Sequence, residues 1–245
     1  MKIEGSVALV TGANRGIGKA IVEALRDRGA DRIYATARDA GTLAALAATD
    51  PQRIVPLALD VTDRATVRAV AKKAHDVTLL INNAGTAHFT GFMSTDDPAE
   101  AQADMNVNYF GTLSMIRAFA PGLKANGGGA IVNVASIASF VNFPMLGSYS
   151  ASKAANHSLT QGVRAELKAQ GTLVVGVYPG PVDTDMVRDV DMPKAPPSQI
   201  ADAILDAIAI GTEDVFPDET SVNMRTGLLS DPKTMEQHAA TMLPS

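Results

Sequence analysis

Short apolar runs alternate along this chain with longer stretches in which apolar residues return every three or four positions, and that alternation predicts its elements. Residues 7–10, 32–37, 53–59, 77–81, 130–135 and 173–178 are rich in Val, Ile, Leu and Ala and nearly free of charge. Runs of that length and composition read as strands buried on both faces. Val215 and Phe216 add an edge strand. Between them, Ile17, Ala20, Ile21, Ala24 and Leu25 recur at helical spacing, and Gly29 supplies a stop. A helix follows Thr62, which is placed to cap it, as far as about Ala74. A long helix is expected from about Ala99 to Leu123, another from about Ser148 to Ala169, and one capped by Ser198 runs through Ile210. Residues 86–98 read as loop, as do 186–197, where Pro193, Pro196 and Pro197 oppose helix. Asp231-Pro232 opens a last short helix in a tail, from Pro217 onwards, to which the pattern assigns no role. Strands alternating with helices need crossover connections, and right-handed crossovers build a doubly wound α/β sheet, mostly or wholly parallel, of about seven strands.

Composition narrows the partners. The 245 residues suit one α/β domain, and 46% hydrophobic with 19% charged residues excludes a disordered or fibrous chain. A net charge of -5 without a basic block argues against nucleic acid or an acidic membrane surface as partner. With 0 cysteines, disulfides, thiolate metal ligands and a cysteine nucleophile are excluded together, and a reducing compartment fits. The start has no long apolar leader and no run is long enough to span a bilayer, so a soluble, cytoplasmic protein is expected. His75, His88, His157 and His238 lack ligand spacing, and no G-x-S-x-G elbow exists, which disfavours metal and serine-hydrolase chemistry.

Two stretches carry chemistry. Thr11-Gly12-Ala13-Asn14-Arg15-Gly16-Ile17-Gly18 joins the first strand to the first helix. Glycines there let backbone N–H groups approach a pyrophosphate at a helix N-terminus. After the second strand stands Arg38, where an arginine accommodates a 2'-phosphate and an acid would hold a ribose hydroxyl. Asp39 keeps the second alternative open. The other stretch runs from Ser136, at the carboxyl end of a strand, to Tyr149 and Lys153. At i and i+4 on a helix a phenol and an ammonium share a face, and a positive neighbour lowers a tyrosine pKa.

With Asn82-Asn83-Ala84-Gly85 and Pro179-Gly180-Pro181-Val182-Asp183-Thr184, these motifs resemble the short-chain dehydrogenase/reductase family over residues 6 to about 216. The resemblance implies a Rossmann-like domain and NADP(H) in preference to NAD(H), with Arg15 similar to the basic residue of NADP-preferring members. It implies a cofactor site of Gly12, Asn14, Arg15, Gly16, Ile17, Gly18, Arg38, Asp60, Val61, Asn82, Ala84, Gly85, Tyr149, Lys153, Pro179, Gly180, Val182 and Thr184. It makes Ser136, Tyr149 and Lys153 catalytic, with Asn108 interrupting the long helix; an asparagine satisfied within its own helix turn is the alternative. Tyr149 passes a proton as hydride moves between nicotinamide and a carbonyl or secondary alcohol.

For the substrate, His88, Ile137, Phe143, Met145, Tyr149 and Met186 are the expected wall, with Phe140 and Val187 near them, under a loop at about 184–198. The short segments that carry these wall residues hold no Lys or Arg, so an uncharged ketone or aldehyde is expected unless Arg188 and Lys194 of the loop fold inward. A homo-oligomer, dimer or tetramer, is implied by the resemblance through the helices at 99–123 and 149–169. Two alternatives stand beside the reductase: a non-catalytic NADP(H)-binding redox sensor, and an epimerase or isomerase on the same scaffold.

Overall fold

Strands apolar on both faces need cover on both sides, and this chain supplies it with helices. The structure is a computed structural model and describes residues 1–188 and 191–244. Its strands are β1 (Val7–Val10), β2 (Arg32–Ala37), β3 (Ile54–Ala58), β4 (Leu79–Asn82), β5 (Ala130–Val134), β6 (Leu173–Val177) and β7 (Asp214–Val215). They form one sheet in the order β3-β2-β1-β4-β5-β6-β7, with every neighbouring pair parallel. The α-helices are α1 (Gly16–Asp27), α2 (Ala44–Ala47), α3 (Arg64–Lys73), α4 (Ala99–Met105), α5 (Thr112–Ala125), α6 (Gly147–Leu167), α7 (Pro197–Ile210), α8 (Glu219–Ser230) and α9 (Pro232–Ala239). The chain steps outward from β1 through β2 and β3, then returns to β4 on the other side of β1. At that reversal the loops leaving β1 and β4 diverge and open a crevice.

Register divides the core into two layers. Leu9 lies opposite Tyr34 and Leu80, and Val10 opposite Ala35 and Ile81. Successive side chains point to opposite faces. Leu9, Tyr34, Leu80, Ile131 and Val174 therefore pack with Val67 of α3, Met115 and Phe119 of α5 and Val163 of α6. Val10, Ile81, Val132 and Val175 meet Ile21 and Leu25 of α1 and Ile200, Ile204 and Ile208 of α7.

Three expectations about elements are corrected. The long helix is broken: α4 and α5 are joined by a π-helical stretch, Asn106–Gly111. Its extra residue is held by side chains, because the Asn108 carbonyl accepts both the Thr112 hydroxyl at 2.9 Å and Asn156 Nδ2 at 2.8 Å. Thr62 does not cap α3. Asp63 does, its carboxylate accepting the Ala65 N–H at 2.8 Å, while Thr62 is bound to Asp60. Helix α7 starts at Pro197, whose ring favours a first helical position, so Ser198 lies inside the helix and caps nothing. Asp231 caps α9 as expected, through the Thr234 N–H at 3.0 Å. Helix α8, which the pattern left undefined, opens on a capping box of Asp218 and Ser221.

Candidate active site

The glycine loop folds as it does because of what it touches. Gly12 and Gly16 take φ +64° and +52°, the left-handed region where a Cβ is penalised. A Cβ on Gly18 would lie 2.2 Å from the Gly12 carbonyl oxygen, so only glycine lets α1 pack this close to the loop. Thr11 staples the loop to the turn after β4: its hydroxyl accepts the N–H of Asn83 and of Ala84, each at 2.9 Å. Asn83 returns the contact, donating Nδ2 to the Thr11 and Gly12 carbonyls at 2.9 and 3.1 Å. No side chain caps α1, whose first-turn N–H groups face the crevice.

That crevice is a cleft of ≈ 750 Å³ along the carboxyl ends of the strands. Its wall holds Gly12, Asn14, Arg15, Gly16 and Ile17 from the loop, Arg38, Asp60 and Val61 beyond β2 and β3, and Ala84 and Gly85. Pro179, Gly180, Val182 and Thr184 follow β6. At the other end are Ser136, Tyr149, Lys153, His88 and Met186. A dinucleotide fits what is present: glycines without side chains, an uncapped helix start, and two arginines on the wall. Arg15 pairs with Asp185 at 2.9 Å, whereas Arg38 makes no ion pair among the described residues.

Several expected residues lie elsewhere. Gly18 stands behind the wall, where it packs α1 on the loop. Asn82 also turns from the cleft, because β-alternation points it inward, where it donates to Asn133 Oδ1 at 2.8 Å. Asn83 occupies the wall in its place. Ile137 and Phe143 are buried in a separate cluster with Ala138, Val141 and Ala239 of the tail. Met145 is tied to that tail as well, its N–H donating to the Met242 carbonyl at 3.0 Å. Phe140 stacks with His157, Tyr178 and Phe216 at ring separations of 4.7 to 5.8 Å. Within the expected substrate loop, Met186 and Val187 are on the wall, while Asp189 and Val190 lie outside the described residues.

Asn108 lies off the wall but beside it. Its Oδ1 accepts the Thr86 N–H at 3.0 Å, and its Nδ2 donates to the Thr86 carbonyl at 2.9 Å and to the Ser152 hydroxyl at 2.8 Å. The side chain thus clamps the loop after β4 to α6; it is not satisfied within its own turn. Asn108 Oδ1 and Lys153 Nζ converge on Gly85, whose added Cβ would stand 3.1 and 3.6 Å from them.

Electrostatics corrects the expected tyrosine. Lys153 donates Nζ to the Val134 carbonyl at 2.9 Å and sits 5.6 Å from the centre of the Tyr149 ring, so its charge is not spent on the hydroxyl. Desolvation pushes the Tyr149 pKa up to about 12, opposed by the Ser136 hydroxyl and reinforced by the Asp104 charge. Burial also lowers the Lys153 pKa to about 8, with Asp104 opposing. Near neutral pH the phenol therefore keeps its proton, the form that can give one.

Two buried carboxylates escaped the sequence reading. Asp218 accepts the Gly180 N–H at 2.9 Å and so holds the turn after β6. Asp104, fully buried in α4, meets His88 Nδ1 and the Ser148 hydroxyl, each at 2.8 Å. Neither breaks a periodicity, and an acidic residue on a helix ordinarily reads as a solvated one.

Among the described residues no helix is long and apolar enough to cross a membrane, and no group of three or more acidic or histidine side chains gathers to hold a metal. A family model described as short chain dehydrogenase matches residues 6–195. An uncharacterized oxidoreductase of Staphylococcus saprophyticus is 36% identical over 220 residues, covering 85% of this chain and 93% of that protein. A short chain dehydrogenase from Burkholderia cenocepacia, solved in complex with NADP, superposes with a TM-score of 0.92 at 44% identity over 98% of this chain and 99% of its own. A short chain dehydrogenase/reductase from Burkholderia phymatum, solved with NAD, gives a TM-score of 0.87 at 25% identity, covering 96% of each chain.

Proposed function

The chain belongs to the short-chain dehydrogenase family, and on that premise we propose that it is an NADP(H)-dependent reductase of an uncharged ketone or aldehyde. The observation that carries this reading is one cleft lined both by the glycine loop and by Ser136, Tyr149 and Lys153. A nicotinamide dinucleotide bound along the cleft supplies the hydride. Ser136 and Tyr149 direct hydroxyls to the substrate oxygen, and Tyr149 delivers its proton there as the carbonyl carbon is reduced, leaving an alcohol. Lys153 holds positive charge beside the phenolate that remains until a proton returns from solvent. With its pKa raised, the Tyr149 phenol carries the proton that the carbonyl oxygen takes.

Preference for NADP(H) is supported by Arg15 and Arg38 on the wall of the cleft, and by the NADP bound to the Burkholderia cenocepacia protein. The NAD bound to the Burkholderia phymatum protein is why the preference needs its own test. We read residues 184–198 as a substrate cover integrated into a single domain, supported by Thr184, Met186 and Val187 on the wall and by the bridge between Val182 and Ala195. Self-association through the region of α5 and α6 belongs to the same reading, supported by Phe110, which is 49% exposed.

The test is oxidation of NADPH and NADH, followed by absorbance, against a panel of ketones, aldehydes and quinones, with binding of both cofactors measured alongside. Turnover with NADPH is expected. Tyr149→Phe should lower it by about 10²–10⁴-fold while leaving NADPH binding intact. Tight NADPH binding without turnover of any panel member would leave two readings, an unsampled substrate or a cofactor-binding sensor, and a Tyr149→Phe variant that keeps substantial activity would remove Tyr149 from its role.

A further inference from the structure

Asp104 has no exposed surface, and a buried carboxylate is costly unless both oxygens are served. Here Oδ1 lies 2.8 Å from His88 Nδ1 and Oδ2 accepts the Ser148 hydroxyl at 2.8 Å. An ionised carboxylate only accepts, so the proton between Asp104 and His88 sits on Nδ1. In the neutral ring this leaves Nε2 as a bare acceptor. The Nδ1 edge is turned to a fully buried group, yet the side chain is 30% exposed and lies on the cleft wall, so the opposite edge meets the cleft. No second hydrogen bond engages His88 among the described residues.

The position is next to the reacting end. Ser148, the other partner of Asp104, immediately precedes Tyr149, and the Asp104 charge acts on both Tyr149 and Lys153. Beside the apolar Ala103, Val107, Met186 and Val187 the wall carries the polar Thr86, Thr184 and Asp185, and His88 is the group there whose acceptor nitrogen is set by a buried carboxylate.

We propose that His88, oriented by Asp104, is a substrate-binding residue whose Nε2 accepts a hydrogen bond from a hydroxyl on the carbon adjoining the reacting one. The substrate class is then α-hydroxy ketones and the vicinal diols they form. This rests on the reductase reading of the cleft, which it refines. Asp104 is a positioning residue: it selects the tautomer and turns the ring.

The experiment compares hydroxyacetone with acetone, each with NADPH. The wild-type protein should show a kcat/KM ratio of about tenfold in favour of hydroxyacetone, the size of one well-placed hydrogen bond. His88→Leu/Asp104→Leu removes ring and carboxylate together, so no bare charge is left buried, and its ratio should fall to about one. A wild-type ratio near one, or a double variant that keeps the wild-type ratio, overturns the proposal.

A second measurement does not need turnover. Nitrogen NMR of histidine-labelled protein loaded with NADP⁺, with His88 assigned by its loss in the double variant, is followed as propylene glycol or isopropanol is added. Propylene glycol should shift the His88 Nε2 resonance and isopropanol should not. If no ketone is reduced but propylene glycol still shifts Nε2, the reductase reading falls and the binding assignment stands. If ketones are reduced while the two alcohols act alike on Nε2, the assignment falls and the reductase reading stands.

Discussion

Tyr149 and Lys153 show how burial can outweigh a neighbouring charge. Spacing alone places an ammonium beside a phenol, but the ammonium is bound to the Val134 carbonyl, and desolvation moves both groups towards their neutral forms. The pH dependence of stability follows. The Lys153 pKa falls from 10.5 to about 8 on folding, so between these values the unfolded chain binds more protons and stability rises with pH. The rise is about 3 kcal/mol from this group, fully developed above the unfolded pKa. For Tyr149 the pKa rises from 10.0 to about 12, so the folded chain keeps the extra proton and stability falls with pH across that interval. Urea unfolding of the cofactor-free protein at stepped pH should show the first trend lost in Lys153→Met and the second lost in Tyr149→Phe. At the far end of the cleft, Arg38 is the arginine without a protein partner among the described residues. Arg38→Asp should shift the kcat/KM preference towards NADH by about 10–100-fold, the worth of a charge-assisted contact, and an unchanged ratio removes Arg38 from the 2'-phosphate.

At the scale of elements, the site depends on how closely α1 and the turn after β4 approach the glycine loop. The Gly18 position leaves no room for a methyl group, since the Gly12 carbonyl and Asn83 Nδ2 would stand 2.2 and 2.5 Å from a Cβ. Gly18→Ala should push α1 off the loop and weaken NADPH binding by at least about tenfold, although Gly18 touches no cofactor in this reading. Titration by fluorescence of the reduced nicotinamide checks this, and undiminished affinity would show that the loop relaxes. The π-helical stretch works in the same way. By displacing one residue, it lets Asn108 reach across to Thr86 and Ser152, joining the loop after β4 to the helix that carries Tyr149 and Lys153.

Across the whole molecule, the tail packs on the segment between β5 and α6. Ala239 is fully buried against the cluster of Ile137, Val141 and Phe143, and Met242 binds the Met145 N–H. Removing residues 232–245 should expose that cluster and loosen the start of α6. The expected result is a lower thermal midpoint and a reduced kcat/KM for the ketone, with NADPH affinity largely kept because the glycine loop lies outside that contact. Equal losses of ketone and cofactor affinity would instead mean that the tail supports the whole sheet.

Sequence by itself determined the parallel sheet, its layers and the ends of the cleft, because buried strands and amphipathic helices write their periods locally. The motifs marking Gly12, Gly16, Ser136, Tyr149 and Lys153 were likewise legible, since each needs a particular residue type at a fixed spacing. Gly18 and Asn82 were legible as motif members but not as packing groups, a role that depends on which neighbour each one faces. Only the tertiary structure decided what burial does. It brought Asp104 of α4 against His88 and Ser148, carried Ile137, Phe143 and Met145 away to the tail, and turned the expected fall in the Tyr149 pKa into a rise. Desolvation and long-range hydrogen bonds depend on segments far apart in the chain, and no local period records them.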